Sequence, residues 1–338
     1  MKKAYVYSCL VLLLGAWGMF SSCNHDTDED GPSLVDRFGP FRLEDSLSVS
    51  APTVDFANGE TVFFTAAFNK NVNWTVTITG QESGSVKEIT GFSRELNPET
   101  ATWDGTTTEL PLFRAEPCTA VLTVEGEDSL QLTTQLEVLS GRVYEGSLIT
   151  DFEAAGPNIV QRNFEFEFTA RVGVTQEIPA GSGESCLLLE GTDREDGGAT
   201  DNFFVGLFEI LAPVTGEQFI PVPSTVPEDV VFNCFIYGNG DPATIAIVDF
   251  YADGNGNGTY EEGPDTQFTT GNINVTWTGW QLFSITMSDL GITEQQLQEL
   301  VGMRLVLISD NNNQTMPRGK VSYGVDFMIF TQNQPLMP

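Results

Sequence analysis

The chain has 338 residues, and its 47 Asp and Glu outnumber its 15 Lys and Arg, which gives a formal net charge of −32. A field of this sign repels nucleic acid phosphates, so nucleic-acid binding is excluded as an expected function, whereas neutral sugars and divalent cations stay compatible. Gly and Pro are plentiful, aromatic residues make up 11% of the chain, and long helical patterns are nearly absent. Composition and length therefore predict an all-β protein with two domains.

Residues 1–22 are predicted to be a lipoprotein signal peptide. Lys2 and Lys3 form a positive n-region, residues 5–20 form an apolar segment, and two serines then precede Cys23. This arrangement resembles a bacterial lipobox, which implies that Cys23 becomes the first residue of the mature chain and carries the lipid. An ordinary secretory signal and an uncleaved membrane helix are the alternatives, although the apolar segment is shorter than the roughly 20 residues that span a bilayer.

Residues 23–42 are predicted to be an acidic, flexible tether. Four of the five residues from Asp26 to Asp30 are acidic, and such a run cannot pack in a core. The run resembles the export signal that sends Bacteroidota-type lipoproteins to the outer face of the outer membrane; a plain charged linker is the alternative. The resemblance implies a protein that is lipid-anchored in the outer membrane and exposed at the cell surface.

Residues 43–141 are predicted to form an Ig-like β-sandwich, because short strand-like runs alternate there with turn residues. The segment Trp74–Val124 resembles the Ig-like module of flagellar hook-capping proteins and of many bacterial surface proteins. The residues that carry this resemblance are Ile78-Thr79-Gly80 at a strand end, Lys87–Gly91 in a return strand and Trp103-Asp104-Gly105-Thr106 in a turn. The resemblance implies a spacer that lifts the second domain from the membrane, with Trp74 and Trp103 in its core.

Residues 145–333 are predicted to form a larger jelly-roll β-sandwich, since about nine strand-like segments follow one another there. One short helix interrupts them, because Thr293 and Gln296 have the spacing of a capping box. The domain resembles a galactose-binding-like sandwich of the carbohydrate-binding-module type. The residues that carry this resemblance are Asp151-Phe152-Glu153, Cys186–Gly191, Gly279–Ile285 and Tyr323–Phe327. The resemblance implies glycan as the ligand.

The same resemblance implies a structural calcium ion, which that family often holds with carboxylates near the first and last strands. Glu153 and Asp326 stand at the matching positions of this sequence. The alternative is that these two carboxylates only cap strand ends.

A second calcium site is predicted in the glycine-rich loop after the apolar run at residues 245–248. Its oxygen donors stand at alternate positions, as calcium loops require, and the candidate ligands are Asp253, Asn255, Asn257, Glu261, Glu262 and Asp265. An EF-hand would need a glutamate at the twelfth loop position, where this chain has Pro264, so one of the later acids would have to close the site. The alternative is a hairpin tip in which Gly and Asn supply positive-φ turn residues.

Four aromatic residues beside this loop are the candidate ligand-binding residues: Tyr251, Tyr260, Trp277 and Trp280. Aromatic faces stack on the apolar surface of sugar rings, while neighbouring polar groups orient the hydroxyls. Trp277 and Trp280 are three residues apart, so on a strand they face opposite sides, one towards the core and one outwards. Burial of all four in the core is the alternative.

Catalytic residues are not predicted. The only histidine of the sequence, His25, lies in the tether, which excludes histidine-based triads and general bases from the folded part. Three cysteines remain in the predicted domains: Cys118, Cys186 and Cys234. Cys186 and Cys234 either form a disulfide with each other or are buried free thiols. The leading prediction is a non-catalytic surface lipoprotein whose jelly roll binds glycan for nutrient capture or attachment. An adhesin or accessory subunit that binds a protein partner is the alternative, and a hydrolase comes third.

Overall fold

A computed structural model describes residues 39–153, 160–165, 170–192, 203–211, 221–310 and 320–338. Over these ranges the protein consists of β-strands in three sheets, with a single short α-helix and a few 3-10 turns. The prediction of an all-β protein is confirmed. None of the helices in the described ranges has the length and hydropathy of a membrane span. Cys23 and the acidic run that follows it lie outside the described residues.

Sheet 1 contains the seven strands of the first domain, and β3 is its central element. In sequence order the strands are β1 (Leu43–Val49), β2 (Thr53–Asp55), β3 (Val62–Gly80), β4 (Val86–Leu96), β5 (Thr102–Trp103), β6 (Glu116–Val124) and β7 (Gln131–Ser140). The order across the sheet is β1-β3-β6-β7-β2, with β4 and β5 also paired to β3. Alternate residues of β3 are buried over its whole length, which is the period-2 pattern of a strand with one face in a core.

Both tryptophans of the first domain are core residues, as predicted. Trp74 and Trp103 are almost fully buried, and the indole of Trp103 packs edge-on against Phe56 and Phe113 at ring-centroid distances of 4.7 Å. The Trp103 Nε1–H donates to the Thr106 carbonyl at 2.8 Å, so the turn after this tryptophan folds back on its own side chain. The motif that resembles the hook-capping module is therefore a turn that closes one end of the core.

The second domain is a sandwich of two six-stranded sheets. Sheet 2 has the order β10-β11-β19-β13-β17 with β8 also paired to β19, and sheet 3 has the order β15-β14-β18-β12-β9 with β16 also paired to β14. All of these pairs are antiparallel. The strands are β8 (Ser147–Thr150), β9 (Val160–Glu165), β10 (Arg171–Thr175), β11 (Cys186–Thr192), β12 (Phe203–Leu211), β13 (Val230–Asn239), β14 (Thr244–Ala252), β15 (Thr266–Thr269), β16 (Ile273–Asn274), β17 (Thr278–Thr286), β18 (Leu300–Ser309) and β19 (Lys320–Gln332).

The core of this sandwich lies between sheets 2 and 3 and is rich in aromatic side chains. Phe232 from sheet 2 and Phe250 from sheet 3 meet edge to face with their ring centroids 5.1 Å apart. The helix α1 (Glu294–Gln298) begins at Thr293, whose side chain and that of Gln296 form the predicted capping box. The alternating pattern of residues 267–278 predicts a single strand, but Gly271, at φ +69°, makes a turn there, so β15 and β16 pair separately with β14.

The three cysteines of the two domains are buried free thiols. Cys118 lies in β6, Cys186 in β11 and Cys234 in β13, so Cys186 and Cys234 do not form a disulfide. Burial raises the pKa of Cys118 and of Cys186 to about 12, and it also raises the pKa of Cys234. All three therefore act as small apolar side chains in the core.

The two domains are joined by an apolar seam on the outer face of sheet 2, the face that points away from sheet 3. Leu112 of the first domain packs there against Phe235, Ile329 and Leu336 of the second, and all four side chains are buried. The Leu112 backbone N–H donates to the Gly181 carbonyl at 2.8 Å. The neighbouring Phe113 side chain points into the core of the first domain, so this short segment connects the two cores.

Truncation of Leu112 tests whether the seam couples the domains. Leu112→Ala should lower the free energy of unfolding by about 2–3 kcal/mol, because it removes buried apolar surface and leaves a cavity between the domains. Calorimetry should show the unfolding transition of the variant broaden or separate into two. Leu148→Ala is the matched control, since Leu148 is 46% exposed and should change stability by less than about 0.5 kcal/mol. Equal, small effects of both variants would contradict a coupling seam.

Candidate ligand-binding site

A row of ionic side chains crosses the outer face of sheet 3. Arg304 of β18 lies opposite Asp249 of β14 on one side and opposite Glu209 of β12 on the other. Its Nε and Nη2 both donate to Asp249 Oδ2, at 2.8 and 2.6 Å. Burial acts to lower the pKa of Arg304, but the hydrogen bonds to Asp249 and the nearby negative groups outweigh it and raise the pKa above its usual value. The guanidinium is therefore a fixed positive charge in the sheet.

One carboxylate oxygen of this row has no hydrogen bond within the described part of the chain. The Asp249 side chain is only 2% exposed, and its Oδ1 is left without a partner. An unsatisfied buried carboxylate oxygen is costly, so such an atom normally meets a water molecule or a ligand hydroxyl. The Arg304 side chain is 24% exposed, which places the edge of the ion pair within reach of solvent.

Two tyrosines lie next to the ion pair. Tyr251 is completely buried, whereas Tyr260 is partly exposed and covers it with ring centroids 3.7 Å apart and an angle of 10° between the planes. The Arg304 guanidinium carbon lies 5.8 Å from the centre of the Tyr251 ring. Burial raises the pKa of both phenols, so they are neutral at physiological pH. The result is an aromatic surface, Tyr260, beside a charged and hydrogen-bonding group.

The glycine-rich loop holds Tyr260 in this place through hydrogen bonds within the loop. Asp253 Oδ1 accepts from the N–H groups of Asn255 and Gly256, and its Oδ2 accepts from Gly258, at 2.6 to 3.0 Å. Asp265 accepts in the same way from the N–H groups at both ends of the loop. Turn formation by Asp and Asn side chains is thus sufficient to explain the alternation of these residues with glycine.

The candidate metal ligands of this loop do not form a ready calcium site. Asn255 donates to Glu261 at 2.9 Å, the Asn257 amide oxygen accepts from Thr259, and Glu262 is exposed. No three His, Cys, Asp or Glu side chains in the described ranges are grouped so as to hold a metal ion. Calcium in this loop stays a prediction, and it would require the loop carboxylates to exchange hydrogen bonds for the ion.

The other two candidate metal ligands, Glu153 and Asp326, are brought together by the loop between β10 and β11. Glu153 Oε1 accepts from the N–H groups of Glu184 and Ser185 at 2.7 and 2.6 Å, and Asp326 Oδ2 accepts from Ser182 at 2.8 Å. The carbonyls of the same loop face the first domain, where Arg114 Nη1 donates to Gly183 at 2.9 Å.

The backbone beside both carboxylates is strained. Phe152 and Phe327, which adjoin Glu153 and Asp326, have positive φ angles of 58° and 45°. Non-glycine residues rarely adopt such angles, and strained positions tend to cluster at functional sites. Burial raises the pKa of Asp326 to about 8, although backbone hydrogen bonds act to lower it. Two carboxylates and a strained backbone thus meet at the edge of the seam.

The candidate aromatic residues are divided between two places. Trp277 and Trp280 do point to opposite sides of sheet 2, but both are half-buried. Trp277 packs against the sandwich core and donates to the Ile236 carbonyl, whereas Trp280 packs in the seam and donates to the Pro179 carbonyl. The four aromatic residues therefore do not form one platform, and only Tyr251 and Tyr260 lie on sheet 3.

Sequence reasoning missed the three ionic residues of the row: Glu209, Asp249 and Arg304. A signal for them exists, because each is a lone charged residue in the middle of an otherwise apolar strand. A buried charge of this kind requires a partner. What the sequence does not show is that β12, β18 and β14 are neighbours in that order.

No protein-family model matches the chain, and no curated protein matches it. Similar solved structures are carbohydrate-binding modules of β-sandwich type. One, described for the promiscuous specificity of such modules, is 16% identical with a TM-score of 0.35, over 86% of this chain and 97% of that one.

Two further solved structures are similar. The family 11 module of Clostridium thermocellum, in complex with a mixed-linked tetrasaccharide, is 13% identical with a TM-score of 0.34, over 57% of this chain and all of that one. SGBP-B from a xyloglucan utilization locus of Bacteroides uniformis is 15% identical with a TM-score of 0.32, over 87% of this chain and 73% of that one. At these identities and TM-scores, similarity assigns neither a fold nor a function to this chain.

Asp326 should make the stability of the metal-free protein depend on pH. Its folded-state pKa of about 8 lies above the value of about 3.9 for an unfolded aspartate, so the folded state holds the extra proton between these values. In a chelator, the contribution of Asp326 to the free energy of unfolding should therefore be largest below about pH 4 and fall by a few kcal/mol as pH rises to about 8. Urea unfolding of the native protein and of Asp326→Asn across this range measures the effect.

Asp326→Asn should remove this fall, because the amide keeps the shape and one acceptor but cannot ionise. Asp128→Asn, at an exposed position of the first domain, is the control and should keep the fall.

We propose calcium as the ion that counters the charge of Asp326 and Glu153 above neutral pH. Calcium at 100 times its dissociation constant would then add about 2.7 kcal/mol in the native protein and none in Asp326→Asn. The same comparison with Asp253→Asn tests the loop, and an identical melting temperature with calcium and with chelator would contradict both sites.

Proposed function

We propose that this protein binds glycan, without catalysis, at the outer face of sheet 3. The observation that carries the proposal is the stack of Tyr260 on Tyr251 beside the Asp249–Arg304 ion pair. Sugar rings have an apolar face and a hydroxyl-bearing edge, so a site that holds them needs an aromatic surface next to fixed hydrogen-bonding groups. The described side chains of this face supply both.

The arrangement is rigid before any ligand binds. Tyr251 and Asp249 are buried, and Arg304 is held by two hydrogen bonds, so none of the three side chains has to be ordered on binding. A site formed in advance saves the entropy that would otherwise oppose association. A site that is already formed favours a role in ligand binding over a role in catalysis by a loop that closes only during a reaction.

A catalytic role has little support from the groups at this face. The sequence has its only histidine at position 25, outside the described residues, and Asp249 is engaged by Arg304 through two hydrogen bonds. Glycoside hydrolysis needs two carboxyl groups of which one donates a proton. In the row, one of the two carboxylates, Asp249, is held in an ion pair by Arg304. A group fixed in this way is suited to orient the hydroxyls of a bound ligand.

Removal of the Tyr260 ring tests the proposal. Tyr260→Ala should weaken binding to a recognised polysaccharide roughly tenfold or more, because it removes the stacking surface. Its melting temperature should stay close to the native value, since Tyr260 is a partly exposed loop residue. The measurement is calorimetric titration with a panel of neutral polysaccharides that includes a β-glucan, a galactomannan and starch.

Phe92→Ala is the control for this experiment, because Phe92 is an aromatic residue of the first domain that is 63% exposed. It should leave glycan affinity unchanged. Equal affinity of Tyr260→Ala and the native protein for a recognised glycan would show that the site lies elsewhere.

A protein partner is the second candidate function, and the exposed Phe92 is the observation that favours it. This ring lies on β4, which pairs with β3 along one edge. Among the described residues the other edge is bridged at Val86, to Glu109, and is open along residues 89–95. Open strand edges are sites where a partner strand can add to a sheet. Absence of binding to the whole glycan panel, together with partner capture that is lost in Phe92→Ser, would favour this function.

We further propose that the protein is a lipid-anchored surface protein of the outer membrane, with Cys23 as the lipidated residue. Cys23→Ala should accumulate as an unlipidated precursor, and metabolic labelling with a fatty acid should mark the native protein but not this variant. Replacing Asp26, Asp28, Glu29 and Asp30 with alanine should keep the lipid but lose surface exposure. If protease added to intact cells still removes the alanine variant, the acidic run is not an export signal.

A further inference from the structure

The charged side chains around Tyr260 in the described ranges are mostly acidic. Glu209 lies in the ionic row, and its Oε1 is 3.5 Å from the hydroxyl of Tyr251. Glu262 and Asp265 follow Tyr260 in the glycine-rich loop. Burial is the main cause of the raised pKa of Tyr260; Arg304 acts to lower this pKa, while Glu262, Glu209 and Asp265 act to raise it. With Asp249, four carboxylates of the described ranges border the surface on which a ligand would stack.

The positive charge within this described group is already neutralised. Arg304 donates from Nε and Nη2 to Asp249 Oδ2, so the side-on fork of its guanidinium is engaged by the protein itself. A ligand carboxylate could reach this fork only by displacing Asp249, and that would leave a buried charge without its partner. The charge of Arg304 is thus compensated by Asp249 before a ligand arrives, which weakens its attraction for an acidic group.

The charge of the whole chain acts in the same direction. The formal net charge is −32, so an anionic polymer is repelled before it reaches the site. A neutral polymer is not affected by this field. Both the local and the long-range electrostatics therefore discriminate by the charge of the ligand and not by its size.

We propose that the site selects uncharged glycans and rejects glycans that carry carboxylates. This rests on the proposed function, glycan binding at Tyr260. Glu262 and Asp265 set the selectivity through repulsion, and Asp249 sets it by compensating the charge of Arg304. Rejection of the wrong ligand by like charge is a common route to specificity.

The test uses matched pairs of polymers that differ only in charge. The β-glucan, the galactomannan and the starch are each oxidised at the C6 hydroxymethyl groups, which converts these groups to carboxylates and leaves the linkages unchanged. The native protein at low salt should bind each oxidised polymer roughly tenfold or more weakly than its neutral parent. Added salt should reduce this difference and leave the affinity for the neutral parent unchanged, because salt screens exposed charges.

Two variants assign the selectivity to residues. Glu262→Gln removes an exposed charge and should reduce the discrimination roughly threefold, as expected for one charge several ångströms away. Asp249→Asn frees Arg304 from its carboxylate and should raise affinity for the oxidised polymer roughly tenfold relative to the neutral one. Glu137→Gln is the matched control, since it removes one exposed acidic charge from β7 of the first domain and should change neither affinity.

The outcomes separate this inference from the proposed function. Equal or tighter binding of an oxidised polymer, with binding still dependent on Tyr260, overturns the selectivity and keeps glycan binding. Unchanged discrimination in both Glu262→Gln and Asp249→Asn also overturns it. Failure of every neutral and oxidised polymer to bind overturns glycan binding itself, and the selectivity falls with it.

Discussion

The central strands of sheet 2 are buried on both faces, and this constraint joins the two domains. The inner face of this sheet packs on sheet 3, while Phe235 and Ile329 on its outer face need cover that the second domain alone does not supply. Leu112 of the first domain and Leu336 near the chain end supply it. The Leu336 N–H is fixed by Asn233 Oδ1 at 2.9 Å, so a buried amide of β13 holds the C-terminal segment over the seam. A first domain that only spaced the second one from the membrane would not require such packing.

The seam also decides which surfaces of the second domain are accessible. Trp280 has the properties of a sugar-stacking residue, but its position on the outer face of sheet 2 places it in the seam beside the first domain. The outer face of sheet 3 lies on the other side of the sandwich, and there the Tyr251–Tyr260 stack and the ionic row are found. Because the first domain packs on the outer face of sheet 2, the candidate binding site lies on the opposite sheet, sheet 3.

The ionic row is an unusual feature of a strongly apolar sheet. β12, β14 and β18 bury apolar residues on both faces, and Asp249 and Arg304 are embedded among them. Replacing a buried ion pair with apolar residues often costs nothing in stability, so such a pair is weak support for a purely structural role. Its position beside the tyrosines, with one carboxylate oxygen unsatisfied within the described residues, is better explained by a role in binding.

The amino-acid sequence by itself determined the all-β class, the burial of Trp74 and Trp103 and the capping box at Thr293, because each of these follows from local periodicity or from short-range hydrogen bonding. It also identified Tyr251 and Tyr260 as candidates, although without a reason to prefer them to Trp277 and Trp280. Only the tertiary structure placed these two pairs on different sheets, and only it placed Glu209, Arg304 and Asp249 in one row. A strand's sequence shows which residues share a face, but which strand lies beside it and what covers that face depend on segments far away in the chain. Those contacts form only when the whole sandwich is assembled.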